Sequence, residues 1–214
     1  LKRAVRSFPE SAAIDKAALL QAEIDAAAGN YSIADSRLEE FIHSRPNSPM
    51  AATAAMMRAM IAYHQQKFKR AEKLFDKAAQ ISEEDYNERN DEIYAVHASS
   101  AWFWRGVSLT QEGRYQEAQP ILKQCFERFP DKEYADDALF LCGQIEELSR
   151  HYDKAIEYYA KSVRDYPYSN VYIASKVREI NNRLILRESP LALVIIEKTQ
   201  ITLNHIISED SIGR

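Results

Sequence analysis

An aromatic-x-x-alanine pair recurs through this 214-residue chain and constrains its fold more than any other feature. It stands at Tyr31/Ala34, Phe68/Ala71, Tyr115/Ala118 and Tyr152/Ala155, with steps of 37, 47 and 37 residues between the alanines. Twelve residues before each alanine is a small residue (Ala22, Ala59, Gly106, Gly143), and four after it a large one (Leu38, Phe75, Leu122, Tyr159). Proline follows at twelve after three of them, Pro46, Pro130 and Pro167, with Glu83 in the second unit. Self-similarity at this period marks a stacked array of one supersecondary unit.

Each unit reads as two helices. Apolar residues recur at three- and four-residue spacing, as in Ala138, Leu139, Leu141, Cys142 and Ile145. This predicts helices at Tyr134–Ser149 and Asp153–Asp165 with a turn near Arg150-His151. Small residues let two helices approach closely, the bulky ones are expected to fill the space between hairpins, and proline ends each unit. Gly and Pro total 5 + 7 = 12 residues, too few for a turn-rich β protein. The expected fold is therefore all-α, a solenoid of antiparallel helical hairpins with repeats of about 37 residues.

The phase also sets boundaries. Pro9 lies 37 before Pro46, so residues 1–9 read as the tail of a truncated upstream repeat. The array proper spans 10–187. Ala192, 37 after Ala155, and Ile196 keep the phase, so 188–214 reads as a degenerate fifth repeat or a capping helix and linker. The long step inserts 47 − 37 = 10 residues around 82–98. Glu83, Glu84 and Asp85 suit a helix start. Asn87–Glu112 is then expected as one long helix projecting Tyr86, Tyr94 and His97 past the solenoid edge, as a tolerated insertion or as a secondary contact. Pro120 falls near the start of its helix, where a missing N–H costs little.

The pattern small, aromatic-x-x-Ala, large, Pro resembles the tetratricopeptide repeat, usually 34 residues long, over roughly residues 1–187. The joints "FPESAAIDKA", "RPNSPMAATA" and "FPDKEYADDA" look like a bacterial envelope subclass. That subclass includes the lipoprotein of outer-membrane β-barrel assembly and the periplasmic coordinator of the Tol–Pal system. The resemblance implies a right-handed superhelix that binds a protein or peptide partner in a concave groove. It favours a periplasmic or outer-membrane-associated setting over a cytoplasmic one. In such arrays the first helix of each hairpin lines the groove. By phase these positions hold Leu19 and Glu23; Met56, Met60 and Tyr63; Phe103 and Val107; and Phe140, Gln144 and Glu147. The row is apolar, and exposed apolar surface marks interaction sites, where methionine adapts to irregular partners. The other reading covers it with the Leu191–Ile207 segment or with a second copy in a homo-oligomer. Repeats that clamp acidic chaperone tails use Lys and Asn here; this chain has Leu19, Glu23 and Met57.

Other chemistry finds little footing. Net charge is −4 and the 28 basic residues are interspersed, which argues against nucleic acid. The longest apolar run, Leu191–Ile196, is far short of a membrane span, so no direct insertion by this stretch is expected. The start at Leu1 reads as an excised piece, so a missing signal says nothing of compartment. Five scattered histidines lack metal-ligand spacing, and no nucleophile elbow, phosphate loop or HExxH occurs. No metal, cofactor or catalytic residue is expected. The chain reads as a non-enzymatic scaffold, the alternatives being a self-associating structural array or the docking arm of a larger enzyme. Cys125 and Cys142 should point towards each other from consecutive helices, as buried thiols in preference to a disulfide. Asp136-Asp137 reads as helix-start charge, Trp102 and Trp104 as packing residues on different faces from Phe103, and Asn30-Tyr31-Ser32 as a weak glycosylation sequon.

Overall fold

A computed structural model describes residues 12–187, 190–191 and 193–201. The upstream-repeat tail expected at 1–9 and the phase marker Ala192 lie outside the described residues. Among these residues every regular element is a helix: α1 (Ala12–Ala27), α2 (Tyr31–Ser44), α3 (Ala51–His64), α4 (Phe68–Arg89), α5 (Glu92–Gln111), α6 (Tyr115–Arg128), α7 (Ala135–Leu148), α8 (Tyr152–Asp165) and α9 (Tyr172–Ile185). A further helical stretch occupies 193–201. The chain forms two compact units, Leu1–Cys125 and Phe126–Arg214, with the boundary inside α6.

The hairpin turns repeat one backbone device. Gly29, Gln66, Gly113, Arg150 and Arg187 all have positive φ, between 58° and 80°. Their spacings are 37, 47, 37 and 37, so each holds the same place in its repeat. Each donates its N–H to the carbonyl three residues back, as Gly113 does to Thr110 and Arg150 to Glu147. This left-handed cap satisfies carbonyls that the ending helix leaves open and turns the chain back on itself. Only two of the five are glycine, so composition alone did not expose the position.

Packing within each hairpin explains the small and large residues sixteen apart. A methyl group at Gly106 would lie 2.5 Å from the Leu122 side chain, and one at Gly143 2.6 Å from the Tyr159 ring. Leu122 and Tyr159 are fully buried. Leu38 shares a core with Ala22, and Phe75 with Ala59. The bulky residues thus sit on the small residue of their own hairpin. They also reach into the space between hairpins: Leu38 shares its core with Ala54 and Ile61 of α3, and Trp104 of α5 packs against the core of Phe75.

Successive hairpins of the first unit are held by a different, charged contact. Arg58 Nε meets Asp35 at 2.9 Å and its Nη2 meets Glu39 at 2.7 Å. One repeat on, Arg105 pairs with Glu72 at 3.0 Å and Asp76 at 2.6 Å. The joint serines have a role too. Ser48 donates to Asp15 while accepting the Met50 N–H, and Ser169 donates to Asp136 while accepting from Val171. Each serine ties the start of one hairpin to the first helix of the preceding one.

The insertion differs from expectation. α4 and α5 share it, with 22 and 20 residues against 14 in most other helices. The chain breaks at Asn90, which takes a left-handed conformation, and Asp91 caps α5 by accepting the Ile93 N–H at 3.1 Å. Asparagine tolerates that conformation and aspartate is a favoured N-cap, so "RNDE" is the signal that "EED" obscured. Because α4 and α5 pack along each other, the extra turns do not project as one bare helix. Tyr94 is 4% exposed, while Tyr86 and His97 are partly buried. Burial also lowers the His97 pKa, partly opposed by Asp85. Cys125 and Cys142 are both buried thiols with no disulfide between them, and Cys125 lies against Ser99 at 3.6 Å.

Candidate functional site

In the first unit, α3 places Met56, Met60 and Tyr63 at i, i+4 and i+7, one stripe of a helix. All three are partly buried, backed by Ala59, Ala62, Ala71 and Phe75. Tyr63 meets Phe68 edge-on at 5.4 Å between ring centres and Trp104 at 5.1 Å. Trp104 in turn meets Phe103 at 5.4 Å. Edge-to-face pairs of this kind hold aromatic side chains in defined orientations. Burial pushes the Tyr63 phenol pKa up.

α5 places Phe103 and Val107 on one helical stripe with Ser100 and Thr110. Both hydroxyls bond back into their own helix, Ser100 to Val96 at 2.8 Å and Thr110 to Gly106 at 2.9 Å. The hydroxyl donors of this stripe are therefore already engaged. Two expected groove residues do not present their side chains. Leu19 is 6% exposed within the core that holds Ala22 and Leu38, and Phe103 is 9% exposed. Both are large apolar groups drawn under neighbouring side chains. Glu23 is exposed on α1, and Val107 is partly buried.

In the second unit, Phe140 packs against the Tyr159 ring at 5.6 Å and Gln144 is partly buried. Glu147 accepts the Tyr159 hydroxyl at 2.8 Å and pairs with Arg178 at 3.1 Å. It serves internal structure. The phenol of Tyr159 is held well above its usual range by burial and by Glu147.

Asp137, expected as helix-start charge, lies in the first turn of α7 beside Asp136. It also shares a face with Phe140 and Gln144, and its pKa is pushed up to about 6, first by burial, then by Asp136 and Glu133. A carboxyl whose folded pKa is raised favours folding most below its unfolded pKa, near 4, and loses that contribution as pH rises through 6. Asp137→Asn should therefore stabilise the second unit by about 1–2 kcal/mol at pH 7.5, with the gain gone at pH 4. Urea unfolding at both pH values tests this, and an equal effect at the two would remove the linkage.

Among the described residues no cluster of His, Cys, Asp or Glu could hold a metal ion, and no helix is long and apolar enough to cross a membrane. Asn30 of the sequon is exposed at the α1–α2 turn.

Comparison with known proteins places this geometry in context. Tetratricopeptide-repeat models match residues 19–86 and 97–167. No curated protein matches. MamA (residue 41 to its end) from Desulfovibrio magneticus RS-1 is similar in structure, with a TM-score of 0.63 at 17% identity, covering 89% of this chain and 96% of that one. YrrB, described as a TPR protein with an unusual peptide-binding site, has a TM-score of 0.61 at 15% identity and covers 100% and 97%. The nearly identical TPR-like repeats of a Podosopora anserina kinesin light chain reach 0.61 at 12% identity, covering 90% and 96%. At these identities the likeness shows the fold: an all-α array of such hairpins.

Proposed function

The chain belongs to the tetratricopeptide-repeat family, and from that premise we propose that it is a protein-interaction scaffold that binds an apolar peptide segment along α3 and α5 of its first unit. The observation that carries this reading is the partly exposed stripe Met56, Met60 and Tyr63 of α3, whose Tyr63 meets Phe68 and the Trp104 of α5, the helix on which Val107 is also partly exposed. Proteins of this family are generally non-catalytic scaffolds, and YrrB is described by its peptide-binding site. The partner should carry aliphatic or aromatic anchors, because the stripe has neither an acidic nor a basic side chain of its own. The envelope setting rests on the resemblance of the joint motifs alone.

Charge on the stripe tests the proposal. Phe103 is too buried for a benign Glu substitution, so the useful variant pairs Met60→Glu with Val107→Glu. Cross-linked pull-downs with wild type and the folded variant are expected to show at least tenfold loss of one specific partner. Equal capture by both would move the site elsewhere.

Self-association is the second reading, favoured by apolar side chains of the second unit. Val177, Leu184 and Ile185 on α9, and Leu193 and Ile201 beyond it, are 46–69% exposed. In the Leu191–Ile207 segment Leu191, Leu193, Val194, Ile196 and Ile201 are exposed while Thr199 is buried, and residues 202–207 lie outside the described residues. Light scattering across a concentration series separates the two readings.

A further inference from the structure

The first unit also holds a cavity of about 470 Å³ away from the Met60 stripe, between α2, α3 and α4. Ile42, Ala55, Leu74 and Ile81 line it with apolar surface, and His43 and Lys77 line it with exposed polar groups. Its one acid, Glu39, is taken up by Arg58 at 2.7 Å. Lys77 and His43 pair with no acid among the described residues.

The repeat phase explains why the cavity exists. Ala55 lies 47 residues before Trp102, the same step that separates Ala71 from Ala118, so the two occupy one place in successive units. At the second joint that place is filled: Trp102 is partly buried, donates its indole N–H to Glu83 at 2.6 Å and lies 5.4 Å from the Arg105 guanidinium. At the first joint alanine stands instead, 4% exposed, in a cluster with Ala78, Ala79 and Ala101 against which Ile42, Met56, Ile81 and Trp102 itself pack. The fold thus shows what fits this position when a side chain supplies it, namely an indole.

We propose that the Ala55 cavity is a second recognition site, taking an aromatic side chain of a partner protein segment with an acidic residue beside it. The aromatic ring supplies the group that Trp102 supplies one repeat later, buried against Ile42, Leu74 and Ile81. The neighbouring carboxylate meets Lys77. This site is distinct from the apolar stripe of α3 and α5, and it stands or falls independently of it.

The test uses the whole chain and the capped dipeptide acetyl-Trp-Glu-amide, followed by amide NMR. Saturable shifts are expected at Ile42, Ala55, Leu74 and Ile81, with Kd on the order of 1 mM for a probe of this small size. The Ala55→Trp variant fills the cavity from within and should abolish them. Trp102 shows that the fold seats tryptophan at this place, but a second variant guards against misfolding. Lys77→Glu changes an exposed residue and should weaken acetyl-Trp-Glu-amide at least threefold while favouring acetyl-Trp-Lys-amide. Shifts confined to Met60 and Val107, no shifts at all, or shifts that persist in Ala55→Trp would each overturn the proposal.

Discussion

Replacing Phe75 with alanine is expected to lower the stability of the first unit by about 3–5 kcal/mol, the largest loss of any single truncation considered for that unit. Phe75 has no exposed surface, and it shares its core with Ala59, Ala62 and Ala71. Those fully buried neighbours are alanines without rotamers, while Met56, Met60 and Leu74 pack against the same core and can close only part of the cavity left behind. The cost combines lost transfer energy with the void that remains. With a urea m-value of about 2 kcal/mol per M, the midpoint of the first unit should fall by roughly 1.5–2.5 M. Ile33→Ala, at a side chain 49% exposed, is the control and should shift it little. A Phe75→Ala effect below about 1 kcal/mol would sink the account of hairpin packing, since a solenoid depends on these local cores.

In the second unit the corresponding test exchanges volume across a hairpin. Gly143→Val places a Cβ 2.6 Å from the Tyr159 ring, inside any van der Waals contact. Leaving glycine behind in a helix gains up to about 0.5 kcal/mol for valine, but overpacking costs about 1–3 kcal/mol, so the clash wins. The ring cannot swing aside freely, because its hydroxyl is bonded to Glu147, which Arg178 also holds. Tyr159→Ala alone should cost about 3–5 kcal/mol through the empty site. Valine then fills part of that space, so the double variant should be more stable than the sum of the singles by at least about 1 kcal/mol. Simple additivity in a double-mutant cycle would mean the two residues do not share the space described.

Much of the fold was legible because the repeat places the same demand on the chain several times. Gly106 and Gly143 stood out as small positions sixteen residues before Leu122 and Tyr159, and these pairs do touch. Their partnership within a hairpin was not legible, since spacing alone does not say which neighbour a bulky side chain meets. The ion pairs of Arg58 and Arg105 were also in phase with their acids. They passed unnoticed because charged residues on helices usually read as solvated surface. At the candidate site, the stripe positions were legible from phase, but the burial of Leu19 and Phe103 was not. Burial depends on which side chains fold over a position, and periodicity reports only direction. The insertion shows the same limit: the acidic run and the Asn90-Asp91 break compete as helix starts, and only backbone hydrogen bonding chose between them.

By itself, then, the sequence determined the hairpin unit, its period and the family, because apolar periodicity and turn positions are local demands repeated in register. Tertiary structure decided which apolar side chains remain available to a partner. It buried Leu19 and Phe103, engaged Glu147 with Tyr159 and Arg178, and left a cavity where Ala55 stands in the place of Trp102. Exposure is a property of what packs against a residue, and that is settled by side chains distant in sequence.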